Sequence, residues 1–159
     1  MEQPQYNMLV REKVEKEFWG LYREHGLGLT IFSPLKMGIL TGKYNDGLPE
    51  DSRLGLNTEG FVRGFNKTVG NEAWKAQIEI VKNLKPVADK LECSMAQLAI
   101  AWVLMNSNVS SAITGTSRPD QIYETVKAFD VKKKLTPEVM EEIEKILGNK
   151  PEEITMRFS

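Results

Sequence analysis

Very little in this sequence offers chemistry of its own. Cys93 is the only cysteine in 159 residues, so no internal disulfide can form and neither a CxxC pair nor a thiolate metal cluster is available. His25 is the only histidine; it stands at a helix end before Gly26, where the C-terminal position favours its cation. Neither the Walker spacing nor the GxGxxG dinucleotide fingerprint occurs. No apolar run approaches the roughly 20 residues of a membrane span. The opening Met1-Glu2-Gln3-Pro4-Gln5 lacks the basic-then-apolar order of a signal peptide. An excess of either charge is also missing: 21 Lys and Arg face 22 Asp and Glu, so nothing over the whole surface attracts nucleic acid or an acidic membrane. These absences point to a cytoplasmic protein without nucleic-acid binding or direct membrane insertion.

What is present suits one globular domain over residues 1–159 with a real core. A strand is expected from Gln5 to Leu9. From Val10 to His25, Val14, Phe18, Leu21 and Tyr22 recur at helical spacing, and Gly26 stops that helix. Leu27 to Phe32 is a short, mostly apolar run of strand length. Six further glycines and Pro49 between Pro34 and Gly70 predict a long functional loop, packed through Tyr44, Phe61 and Phe65. Helical spacing returns from Glu72 to about Leu91, where Pro86 should kink or divide the helix. Ser94 caps a second helix, Met95 to Met105. Val109 to Thr114 reads as a strand, Pro119 opens a helix to about Phe129, and Thr136-Pro137-Glu138 starts a last one that ends at Gly148. Strands alternating with helices predict an α/β fold with three parallel strands. Helices on one side only would leave the other sheet face bare.

Two glycine-bearing loops follow strands. Ser33-Pro34-Leu35-Lys36-Met37-Gly38 continues to Gly42-Lys43-Tyr44, and Gly38 permits close approach of backbone to a ligand. In Gly115-Thr116-Ser117-Arg118-Pro119, free N–H groups and a helix dipole meet at a strand's carboxyl end, a setting for an anion. The alternative is an ordinary strand-to-helix turn with an exposed arginine. Cys93 reads as a packing residue, Trp74 and Trp102 as core or helix contacts, and Lys132-Lys133-Lys134 as a solvated surface.

The ordered set Glu2-Gln3-Pro4-Gln5-Tyr6-Asn7, Arg11-Glu12-Lys13-Val14-Glu15, Ser33-Pro34-Leu35, Gly42-Lys43-Tyr44, Ser52-Arg53, Gln97 to Trp102, Gly115-Thr116-Ser117 and Leu147-Gly148-Asn149-Lys150-Pro151 resembles the aldo-keto reductases. Within them it is most similar to the beta subunits of voltage-gated potassium channels. The resemblance covers nearly the whole chain and implies the C-terminal half of a (β/α)8 TIM barrel, whose site lies at the carboxyl ends of the strands. It also implies NADPH as cofactor. Gln3 would hydrogen-bond the nicotinamide amide and Phe32 would stack on its ring. Ser33, Pro34, Leu35, Lys36 and Met37 would line the pyrophosphate, with Lys43 and Arg53 supplying charge. Gly115, Ser117, Gln121 and Glu124 would hold the adenosine end.

Some positions depart from the family pattern. Phe32 replaces a tryptophan or tyrosine, Thr125 replaces an asparagine that touches adenine, and Lys36 and Met37 replace smaller residues. The family's Tyr-Lys-Asp-His tetrad lies in its amino-terminal half, which the resemblance does not reach; Tyr6, Tyr22, Tyr44 and Tyr123 match no tetrad position. Met1 inside a strand points to truncation. Two functions follow as expectations: the NADPH-binding part of a reductase of aldehydes and ketones, inactive alone, or a nucleotide-sensing regulatory subunit of a potassium channel. The family is tetrameric, and a bare sheet face implies self-association or a complementing half.

Overall fold

The computed structural model describes residues 1–56 and 60–152. Its sheet is parallel. Glu2 and Gln5 bridge to Leu29 and Phe32 of β1 (Leu29–Phe32), and β1 pairs along its length with β2 (Val109–Ile113). The three expected strands therefore lie side by side, but the first is displaced from Gln5–Leu9 toward the chain start. Asn7 causes the shift. Its Oδ1 accepts a hydrogen bond from the Leu9 N–H at 3.0 Å, and the Val10 N–H donates to the Asn7 carbonyl at 3.0 Å. The side chain thus closes a tight turn where the strand was expected to continue.

The helix expected over Val10–His25 is broken. A π-helical turn, Lys13–Glu17, precedes α1 (Trp19–His25), with the Phe18 N–H donating to the Lys13 carbonyl. Val14 is buried and Phe18 and Tyr22 pack on the core, but Leu21, expected on that stripe, is exposed. Gly26 ends α1 at φ +59°, a left-handed cap that costs glycine nothing.

The glycine-rich stretch is not the continuous loop expected. It holds a 3₁₀ segment, Lys36–Thr41, and two short helices, α2 (Arg53–Leu56) and α3 (Gly60–Asn66). Tyr44 is buried and Phe65 packs on the core, while the Phe61 side chain lies outside the described set. Helix α4 (Glu72–Lys90) runs unbroken through Pro86. That proline is exposed, so the Lys82 carbonyl it deprives of a donor can turn to water, while Leu84, Val87 and Ala88 hold the turn through burial.

Ser94 and Gln97 form a full capping box at the start of α5 (Met95–Val103). The segment after β2 divides into α6 (Asp120–Val126) and α7 (Ala128–Lys132) rather than one helix. The last helix is α8 (Pro137–Leu147), with Thr136 capping it and Gly148 ending it as expected. Lys134 is not simply solvated, since its Nζ donates to the Leu91 carbonyl at 2.8 Å.

Helix α5 packs on β2 and against α4 and α7, and α8 packs on α4; Leu29 and Ile31 are buried. The opposite sheet face is open. There Phe32 pairs with Ile113, and the two are 43% and 45% exposed. Ile122, Val126 and Phe129, at helical spacing on α6 and α7, are also exposed. A buried ion network ties the ends of the chain. The Arg11 guanidinium bonds Glu15 twice, at 2.9 and 2.8 Å, and Glu144 at 2.7 Å, and it lies 5.0 Å from the centre of the Trp102 ring. Tyr6 donates to Glu15 at 2.7 Å.

Candidate functional site

Because Phe32 and Ile113 are paired, the two glycine-bearing loops leave adjacent strand ends on the same side of the sheet. The first loop is strained. Ser33, Lys36 and Met37 have φ of +56°, +45° and +55°, and Gly38 has +96°. Three of the four non-glycine residues with positive φ among the described residues fall within this one turn. Each costs about 1 kcal/mol, so about 3 kcal/mol of backbone strain must be offset locally.

Side chains supply the offset from behind. Asn7, fully buried, donates from Nδ2 to the Ser33 carbonyl at 3.0 Å. The Tyr44 hydroxyl donates to the Met37 carbonyl at 3.2 Å, and Thr41 Oγ1 to the Gly38 carbonyl at 2.7 Å. Three hydrogen bonds of about 1 kcal/mol each match the strain. The turn also spends two of its own donors, the Lys36 N–H on the Ser33 carbonyl at 3.0 Å and the Gly38 N–H on the Leu35 carbonyl at 2.9 Å, so an anion here would answer chiefly to side-chain charge. Asn7 and Thr41 were not among the expected site residues. For Asn7 the available signal was a polar side chain inside the apolar run Tyr6 to Val10.

Lys43 completes the first loop. A Cβ added at Gly38 would lie 2.6 Å from Lys43 Cε and 2.9 Å from Nζ, so the ammonium rests over the turn where only glycine leaves room. It also lies 5.1 Å from the centre of the Tyr44 ring. Pro34 is buried and Leu35 half-buried; Ser52 caps α2 by accepting from the Gly55 N–H at 3.0 Å. Helix α2, which Arg53 opens, packs on the 3₁₀ segment. Lys36 behaves differently from Lys43. Its side chain is half-buried with no ion-pair partner among the described residues, and burial pushes its pKa below the ordinary lysine value.

The second loop is exposed from Thr114 to Asp120. Gln121 closes it: its Oε1 accepts from the Ser117 N–H at 3.0 Å and the Ser117 hydroxyl at 3.4 Å. Arg118 faces Asp120, 3.6 Å away. Glu124 is half-buried, and its carbonyl accepts from Gln97 Nε2 at 3.1 Å, which ties α6 to α5. Gly115 has open space around it. Gln3 is exposed on the first strand, between the Glu2 and Pro4 carbonyls that accept from Thr30 and Phe32. Strand pairing thus brings Gln3, Phe32, Ser33–Met37 and Gly115–Ser117 to one region of the sheet.

Tyr6 and Tyr22 are occupied away from the two loops. Burial and the Glu15 carboxylate push the Tyr6 phenol far above its usual range. Burial pushes Tyr22 up to about 12, and its hydroxyl donates to the Val14 carbonyl at 2.8 Å. Cys93 is half-buried and burial raises its pKa. Among the described residues no group of three or more His, Cys, Asp or Glu side chains could hold a metal ion, and no helix is long and apolar enough to cross a membrane.

Residues 1–148 match the model of the Aldo/keto reductase family. A probable voltage-gated potassium channel subunit beta of Arabidopsis thaliana is 49% identical over 152 residues, which is 95% of this chain and 44% of that protein. A rice protein of the same description is 48% identical over 152 residues, again 95% of this chain and 44% of its own length. A putative subunit beta of Schizosaccharomyces pombe is 44% identical over 156 residues, or 98% of this chain and 44% of its own. The chain spans less than half the length of these curated relatives. With a family match over nearly its whole length and the paired strand-end loops in place, this chain belongs to the aldo/keto reductase family.

Proposed function

We propose that this chain is the NADPH-binding portion of an aldo-keto reductase, corresponding to the C-terminal half of a (β/α)8 barrel. The observation that carries this reading is the strained turn Ser33–Gly38, pinned by Asn7, Tyr44 and Thr41 and overlaid by Lys43. The residues fit the cofactor. A glycine-floored turn with an ammonium above it suits a pyrophosphate, and the cradle exists because Gly38 lacks a Cβ. Ser33, Pro34, Leu35, the Lys36 and Met37 main chain, Lys43 and Arg53 would hold that stretch. Exposed Phe32 and Gln3 would receive the nicotinamide, and Gly115, Ser117, Gln121 and Glu124 the adenosine end. Gln121 would have to release the Ser117 N–H to admit a phosphate.

NADPH supplies a hydride donor when bound, and in a complete family member the substrate class is an aldehyde or ketone. The chain's own residues bind rather than transfer protons. A proton-donating group works best with a pKa near the working pH, whereas Tyr6 and Tyr22 are shifted upward, Tyr44 is bonded to the Met37 carbonyl, and Tyr123 is exposed on α6. Isothermal titration with NADPH and NADH tests the reading. Saturable binding that favours NADPH, without carbonyl reduction across an aldehyde panel, is the expected result; turnover above a no-protein control refutes the inactive half, and no binding refutes the whole.

A second reading, a nucleotide-sensing regulatory subunit of a potassium channel, rests on the printed descriptions of the three relatives. Co-purification with a channel cytoplasmic domain distinguishes it. The open sheet face and the exposed α6–α7 stripe support association with a complementing half or with further copies, the tetramer being the family's form.

A further inference from the structure

Beside the strained turn, but on the α4 side of it, lies a cavity of about 180 Å³ lined by Lys36, Phe65, Thr68, Asn71, Trp74 and Gln77, with Ala73 at its rim. Its chemistry is one-sided. Among the described residues the lining has a cation and two carboxamides but no carboxylate. Lys36 has no ion-pair partner among the described residues. Asn71 commits its Oδ1 to the Trp74 N–H at 2.8 Å, which leaves its amide nitrogen as the available end. Thr68 spends its hydroxyl hydrogen on the Phe65 carbonyl. The walls are aromatic: Phe65 and Trp74 meet edge to face with ring centres 6.3 Å apart. By contrast, the larger cavity on the neighbouring face of α4 has a carboxylate, Glu79, in its lining beside Lys75 and Lys82, and Lys75 is already paired with Glu72 at 2.8 Å.

We propose that this cavity is a binding site for a small organic carboxylate with a flat apolar body, its carboxylate on Lys36 and its body against Phe65 and Trp74. An ammonium removed from water without a counter-ion is a cost that an incoming anion cancels, and the lowered pKa of Lys36 records that cost. The volume falls below the 300 Å³ or so at which drug-sized pockets begin, so the occupant is about the size of benzoate. The Lys36 side chain then serves a second anion while its main chain stays in the dinucleotide turn. The inference goes beyond the NADPH reading and does not depend on it.

The test is benzoate titrated into the full chain, followed through the indole N–H resonance of Trp74. A saturable shift of Trp74 and not of Trp19 is expected, with a dissociation constant on the order of 1 mM. Lys36→Met should weaken binding at least tenfold, Gln77→Leu severalfold, and Lys82→Met not at all, with unchanged circular dichroism as the folding check. If Lys36→Met does not fold, Gln77→Leu carries the test. No saturable Trp74 shift, or equal affinity in both cavity variants and wild type, overturns the site. Inorganic phosphate binding as tightly as benzoate overturns the role of the aromatic walls. Repeating the titration in saturating NADPH separates the two readings: unchanged benzoate affinity is expected, and mutual exclusion would return Lys36 to the dinucleotide and overturn the second site.

Discussion

Replacing Gly38 with alanine separates the two contributions that make the first loop a cradle. At φ +96° a side chain costs about 1–2 kcal/mol. Alanine recovers about 0.4–1 kcal/mol by restricting the unfolded chain, so the net loss of stability is about 1 kcal/mol. For a chain of this size that is about 2–4 °C in Tm. The new methyl also occupies the space of Lys43 Cε and Nζ. A flexible, exposed lysine tip moves aside at little energetic cost, so this collision adds little to the stability loss. It does remove the ammonium from the turn. A charge-assisted contact is worth about 1.5–3 kcal/mol at most, and solvent exposure of Lys43 reduces it, so NADPH affinity should fall about fivefold to twentyfold. Lys43→Met is the matched control: it loses the charge without backbone strain and should show a similar affinity loss with Tm unchanged. Thermal melts and NADPH titrations on both variants make the comparison. Gly38→Ala with wild-type affinity and wild-type Tm would refute the reasoning.

Arg11→Met leaves Glu15 and Glu144 without their shared cation, and should cost about 3 kcal/mol in urea unfolding. Ser94→Ala removes the capping box of α5 and should cost about 1 kcal/mol by the same assay. Stability should fall as pH rises from about 10, because the unfolded chain gives up tyrosine protons that native Tyr6 and Tyr22 retain. The contribution is complete below the unfolded value, and that of Tyr22 is lost as pH passes about 12; Tyr22→Phe should flatten the urea midpoint measured from pH 9 to 11.5. Light scattering should find the chain self-associated, or associated when a complementing half is supplied, and a monodisperse monomer with cooperative unfolding would contradict the open-face argument.

The order of elements was legible because glycine, proline and capping residues punctuate the chain: Gly26, Ser94, Thr136 and Gly148 stand where helices start or stop. The turn at Asn7 was not legible as a break, since a single carboxamide closes it inside an otherwise strand-like run. Pro86 misled because a proline's effect depends on which side of the helix it occupies, and only packing decides that. Gly38 signalled a ligand loop. The left-handed conformations of Ser33, Lys36 and Met37 could not be read from residue types that ordinarily avoid them, since the hydrogen bonds that enforce them come from Asn7, Thr41 and Tyr44. The Arg11 network joins residues 133 positions apart, beyond any local pattern.

The central claim is that the two strand-end loops receive one NADPH molecule. Amide resonances of Gly38 and Gly115, followed together during an NADPH titration of the full chain, test it most directly. With one NADPH molecule across both loops, both resonances move along a single saturable curve at one cofactor per chain. Movement of only one loop, or of neither up to about 1 mM NADPH, would contradict it.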